Sequence, residues 1–158
     1  MSASLPAGLG TKLRQLITRL DGDVQQLYGE MNAPFRPRFY PVVRLLLLKP
    51  QTVNSIAAQV GVSQPAITQT LGEMRKIGLI AAKPGSDRRK QIIHLTRKGE
   101  SVAEKLQPVW NATHRAAAGL DADLAARLGE IVDQALAALD ERPFKERIRI
   151  QLSTKNHD

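Results

Sequence analysis

Gly61 and Ser63, in the stretch AAQVGVSQPAIT, stand two residues apart and give the backbone opposite instructions. Glycine stops a helix because it accepts the left-handed conformation past the last turn. Serine starts one, because its hydroxyl accepts a backbone N–H that has no partner inside the helix. Pro65 strengthens the start, since it falls in the first turn, where a missing donor costs nothing. Upstream, TVNSIAAQV carries Ile56, Ala57 and Val60 as an inward face. Downstream, Ala66, Ile67, Thr70, Leu71 and Met74 define one helix face, while Gln64, Thr68, Gln69, Arg75 and Lys76 fall largely on the other. The spacing therefore predicts two helices joined by a tight turn, the second showing a row of hydrogen-bonding ends to solvent.

The flanks extend this pattern. Leu9, Leu13, Leu16, Ile17, Leu20, Val24 and Leu27 recur at three-and-four spacing and predict an amphipathic helix ending near Gly29. Pro34, Pro37 and Pro41 exclude helix interior and predict a restricted connection. Pro41 then opens a second helix, PVVRLLLLK, which is apolar on most sides and is expected to be buried. After Gly78 the period changes: LIAAK, the turn-forming PGSD and the β-branched KQIIHLT predict a two-stranded hairpin. Thr96 is placed to cap a following helix that bears Val102, Leu106, Val109 and Trp110 despite Pro108. Asp121 is placed to cap a last long helix with Leu124, Leu128, Ile131, Val132, Ala135, Leu136 and Leu139. The expected fold is mainly α with a small β-hairpin wing, a winged helix-turn-helix.

That order of elements suits duplex DNA. A helix entering a major groove needs side chains such as Gln and Thr, and a basic loop between strands can reach a minor groove or phosphates. Between Gly61 and Gly99 the chain has eight Lys or Arg (Arg75, Lys76, Lys83, Arg88, Arg89, Lys90, Arg97, Lys98) against the two acids Glu73 and Asp87. Over all 158 residues, 23 Lys and Arg face 15 acids, a formal net charge of +8, which favours a polyanionic partner. Taken singly, each of these residues also reads as an ordinary solvated position; the agreement of cap, polar face, hairpin and charge carries the inference.

The segments VNSIAAQVGVSQPAITQTLGEMRKIGLI and SDRRKQIIHLTRKGE resemble the central region of MarR-family transcriptional regulators. GDVQQLYGEMNAPFRPRFYPVVRLL and ALAALDERPFKERI resemble a MarR-like subgroup that also occurs fused to a GNAT acetyltransferase domain. No Gly-rich acetyl-CoA loop is visible, so acetyltransferase activity is not expected. The resemblance spans nearly the whole chain and implies a single MarR-like domain over 1–158, with a DNA-binding core at 36–99 and dimerisation helices at 5–30 and 100–150. It implies a homodimer, most commonly a repressor relieved by a ligand, on a pseudo-palindromic operator. By resemblance Ser63, Gln64, Ala66, Thr68, Gln69 and Arg75 lie on or beside the recognition surface. Asp87 and Arg89 match the family's wing pattern, in which the arginine enters the minor groove and the acid fixes the wing; Arg88 and Lys90 are expected phosphate contacts.

Tyr28, Phe39, Tyr40, Arg44, Trp110 and His114 are candidates for a small-molecule effector pocket, because the family binds aromatic or anionic effectors near this junction; as residues alone they read as packing side chains. No cofactor is expected. The chain has no cysteine, which removes disulfides, zinc–thiolate sites and thiolate chemistry. His94, His114 and His157 are too far apart for a local metal motif, and no metal site is expected. No Ser, His and Asp set stands in a catalytic context, so an enzyme is not expected. LLLL at Leu45 to Leu48 is the longest apolar run, far below a membrane span of roughly 20 residues, and the expected location is cytoplasmic with no membrane partner. Two other functions stay open on the sequence: a sequence-indifferent architectural DNA binder, and a winged helix used as a protein interaction module.

Overall fold

The computed structural model describes residues 8–87 and 90–154. Helix α1 (Leu9–Glu30) is followed by a 3-10 turn (Pro37–Phe39), α2 (Tyr40–Leu48), β1 (Gln51–Thr52), α3 (Val53–Val60) and α4 (Gln64–Lys76). Then come β2 (Ile80–Pro84), β3 (Gln91–Leu95), α5 (Arg97–Ala122), α6 (Leu128–Glu141) and α7 (Phe144–Thr154). The chain divides into two compact units, with the boundary after Trp110, inside α5.

In the first unit the proline-rich connection does structural work. Asn32, with a left-handed φ of 50°, turns the chain out of α1, and Ala33 N–H bonds back to Tyr28 O at 2.9 Å. Pro41 sits in the first turn of α2. The connection thereby brings Phe35 and Phe39 against Tyr28 and Trp110. Phe35 meets Tyr28 edge-on at 5.2 Å and Phe39 edge-on at 5.7 Å, geometries that the ring quadrupoles favour. Trp110 Nε1 donates to the Tyr28 hydroxyl at 3.0 Å, so both polar ends are satisfied inside the core. Burial raises the pKa of the Tyr28 hydroxyl; the Trp110 bond works the other way.

Helix α2, expected to be buried, buries only one of its faces. Val42, Val43 and Leu46 enter the core, whereas Leu47 is exposed and Leu48 is 81% exposed. A nine-residue helix packed on one side can bury one stripe only. Thr52 caps α3 by accepting from Ser55 N–H at 3.2 Å, and Gly61, at φ 73°, ends it. Ser63 caps α4 by accepting from Ala66 N–H at 3.4 Å.

The sheet has three strands in the order β1-β3-β2, all antiparallel, where a two-stranded hairpin was expected. β2 pairs with β3 from Ile80 opposite Leu95 to Pro84 opposite Gln91, and β1 adds Gln51 opposite Ile93 and Thr52 opposite Ile92. Gln51 is buried, and its amide spans Leu45 O, at 3.3 Å, and the Ser55 hydroxyl, at 2.9 Å.

The segment LTRKG locks the sheet to the helices. The Thr96 hydroxyl donates to Gly78 O at 2.6 Å and accepts from Gly99 N–H at 3.0 Å, so one side chain caps α5 and closes the end of α4. Lys98 Nζ donates to Ile77 O at 2.7 Å. Gly99 is buried against the Leu79 carbonyl, where an added Cβ would lie only 2.0 Å from the oxygen.

In the second unit, the helix expected to start at Asp121 starts only at Leu128, and α7 follows it. α5 runs on through Asp121 to Ala122, and Leu124 lies in the turn that follows rather than in a helix. Asp121 still caps: its Oδ1 accepts from Leu128 N–H at 2.9 Å, across the turn instead of from the adjacent position. Pro143 separates α6 from α7, and Arg147 of α7 reaches back to Ala138 O at 2.6 Å and Arg142 O at 3.0 Å, closing the end of α6. Ile131, Val132, Leu136, Leu139, Phe144, Ile148, Ile150 and Leu152 are all exposed in the single chain, and α6 buries none of its residues.

Candidate nucleic-acid interface

α4 is split lengthwise by burial. Ile67, Thr70, Leu71 and Met74 face the core, and Thr70 settles its hydroxyl on Ala66 O at 3.1 Å. Gln64, Ala66, Thr68, Gln69, Gly72, Arg75 and Lys76 are exposed along the other side. Ala66, read at first with the inward face, therefore belongs to the outward one. Its methyl would suit a thymine methyl in a groove. Arg75 and Lys76 occupy the last turn, where a positive charge complements the helix dipole and meets phosphates equally well.

One of the exposed amides is held by a neighbour. Gln64 Nε2 donates to Asn54 Oδ1 on α3 at 2.8 Å. Gln69 stands one turn before Glu73 on the same helix. Glu73 in turn accepts a hydrogen bond from Arg38 of the 3-10 turn, and Arg36 Nε stands 3.9 Å from the same carboxylate oxygen. The Arg38 hydrogen bond, aided by the charges of Arg38 and Arg36 and by Gln69, holds the Glu73 carboxyl below its ordinary value of 4.5 against a desolvation that pushes the other way. Neither Asn54 nor Glu73 was legible as a site residue. Their partners, Gln64 for Asn54 and Arg38 and Arg36 for Glu73, are brought to them by the fold and left no signal in the sequence.

The wing turn between β2 and β3 is closed by Gly85 N–H to Lys90 O at 2.8 Å and by Lys90 N–H to Asp87 O at 2.9 Å. Asp87, Lys90 and Lys83 are exposed there. Arg88 and Arg89 lie outside the described residues, as does His157. Of the eight basic residues counted toward DNA, Lys98 is engaged on Ile77 O instead. His94 projects from β3 beside Ala81, with Nδ1 buried and without a hydrogen-bond partner. Among the described residues no three His, Cys, Asp or Glu come together as a metal site.

The candidate effector residues mostly pack. Tyr28, Phe39 and Trp110 are buried in the aromatic cluster, Tyr40 stacks obliquely on Trp110 at 5.0 Å, and Arg44 lies over the Tyr40 ring. His114 is exposed one turn beyond Trp110 on α5, in the second unit. A cleft of about 510 Å³ opens beside this cluster, bordered by Gln25, Phe35, Arg36, Phe39 and Ile77; of the six candidates only Phe39 borders it.

Residues 41–82 match the family model described as bacterial regulatory protein, arsR family. Among solved structures the fold is similar to the M. tuberculosis transcriptional regulator MosR in complex with DNA, at 23% identity and a TM-score of 0.70, covering 86% of this chain and 99% of that one. It is also similar to the S. aureus MepR–DNA complex, at 16% identity and a TM-score of 0.67, covering 85% and 98%. A MarR mutant from E. coli complexed with operator DNA matches at 18% identity and a TM-score of 0.65, covering 83% and 92%. From α1 to α7, with its three-stranded sheet, the chain has the winged helix-turn-helix fold of MarR-type regulators.

Proposed function

We propose that the protein is a dimeric, sequence-specific DNA-binding transcriptional regulator, a ligand-responsive repressor that binds a pseudo-palindromic operator. The observation that carries this reading is α4: a capped helix with its apolar side buried and a continuous row of Gln, Ala, Thr, Gln and Arg exposed, beside a basic wing turn. A row of this kind has the donors, acceptors and methyl that base edges require, and the solved DNA complexes of MosR, MepR and MarR share its fold. Dimerisation is supported by α1, of which only Tyr28 is buried, while Leu9, Leu13, Ile17, Leu20 and Leu27 stay exposed in the single chain. Such a stripe is larger than a monomer leaves in water.

For the ligand we assign the open cleft beside Arg36, bordered by Gln25, Phe35, Phe39 and Ile77. A ligand acts there only by binding DNA-competent and DNA-incompetent forms with different affinity. Enrichment of a randomised duplex pool tests the function: an inverted repeat with half-site centres about 10 bp apart is expected. A pool from which no sequence is enriched contradicts it.

A further inference from the structure

Glu73 is the one acid on α4, and it lies at the margin of the exposed side, between the outward Gly72 and the buried Met74. A helix about 10–12 Å across fills a major groove about 12 Å wide, so the middle of its outward side meets base edges and its margins meet the two phosphate walls. A bare carboxylate at that margin would repel the wall. Here it is covered: Arg38 of the 3-10 turn donates to Glu73 Oε2, and Arg36 Nε stands 3.9 Å from the same oxygen. Pro37, between the two arginines, opens that turn and leaves Arg36 extended, at φ -131°. The Arg38 guanidinium also lies 5.9 Å from the ring centre of the buried Phe39, within cation–π range. Both side chains stay accessible, 60% exposed for Arg36 and 44% for Arg38.

We propose that Arg36 and Arg38 form a phosphate clamp on one wall of the groove, with Glu73 as the positioning residue that holds both guanidiniums beside α4. The proposal rests on the DNA-binding reading above. Two positive charges against one negative leave this margin net positive. A guanidinium has five N–H donors in a planar fork, and the bond to Glu73 leaves others of Arg38 for phosphate oxygens. A side chain already held in place loses less freedom when it meets its partner. The clamp lies outside both the helix-turn-helix and the wing, because the connection before α2 carries it to the recognition helix. Phosphates carry no sequence information directly, so the clamp sets affinity and register rather than base preference.

The test is the salt dependence of affinity for an enriched duplex and for the same duplex with each base pair replaced in turn. Arg38→Gln combined with Glu73→Gln has the net charge of the wild type, so a change in slope reports a lost contact rather than a changed total charge. The slope of log affinity against log salt is expected to become shallower by about 0.9 for each phosphate contact removed, about 1.8 for a dimer that carries the clamp twice. Binding should weaken alike on every duplex. Arg36→Gln leaves the Arg38–Glu73 pair intact and is expected to give the same fall in slope, which decides the matter should the double variant fail to fold. An unchanged slope in either folded variant, or a loss confined to particular base pairs, overturns the clamp while leaving the DNA-binding reading in place. If the wild type enriches no sequence, the titration runs on random duplex, and the clamp is decided although the regulator reading fails. A wild type that binds no duplex overturns both.

Discussion

At the scale of single residues, two polar contacts make opposite kinds of prediction. Tyr28 and Trp110 are buried together, and Tyr28→Phe would strand the Trp110 N–H in an apolar core. The cost is expected to be about 1–3 kcal/mol in urea unfolding, the desolvation penalty of a buried donor; an unchanged midpoint would mean the pair is not formed. The Arg38–Glu73 pair lies at the surface, and its contribution follows pH. Because the folded-state pKa of Glu73 is lowered, the stability it adds is present above the unfolded value of 4.5 and is lost as pH falls through the folded one. Any excess in melting temperature of wild type over Glu73→Gln should therefore hold at neutral pH and shrink only below about pH 4.5. An excess that varies between pH 6 and 8 would assign the effect to another group.

At the scale of elements, the helix-turn-helix was legible because its signals are local: Gly61, Ser63 and Pro65 act within a turn of where they stand. β1 was not, because two residues carry no period, and Gln51 and Thr52 become a strand only when β3 comes alongside. Helical spacing alone places Asp121 directly before the last long helix. The structure carries α5 through it and lets it cap across a turn, a choice set by tertiary geometry. Within the candidate site the exposed row on α4 could be read from helical spacing, whereas Lys98 could not be told from a DNA-facing lysine, since its partner is a backbone carbonyl 21 residues away. Gly99 shows the same dependence. Its helix would gain from alanine on propensity alone, yet a Cβ there meets Leu79 O at 2.0 Å. Gly99→Ala is expected to destabilise by about 1–3 kcal/mol through overpacking, measured by urea unfolding; a more stable variant would contradict the packing of α5 against Leu79.

At the scale of the whole molecule, the exposed stripes of α1 and of α6 are the chain's largest unmet demand. Ile17 is 57% exposed in the single chain, so Ile17→Glu leaves the fold untouched and places a charge in the proposed subunit interface. Sedimentation should report a dimer for the wild type and a shift toward monomer for the variant at equal helix content; an unchanged mass would place the interface elsewhere. No helix among the described residues is long and apolar enough to cross a membrane, and the formal net charge of +8 favours a polyanionic partner. The most direct test is fluorescence anisotropy of the wild-type protein on an enriched duplex, in competition with random duplex at about 0.15 M salt, where phosphate contacts alone give no discrimination. A preference of roughly a thousandfold or more for the enriched duplex is predicted. Equal displacement by both duplexes would contradict the account, since the exposed row on α4 would then read no sequence.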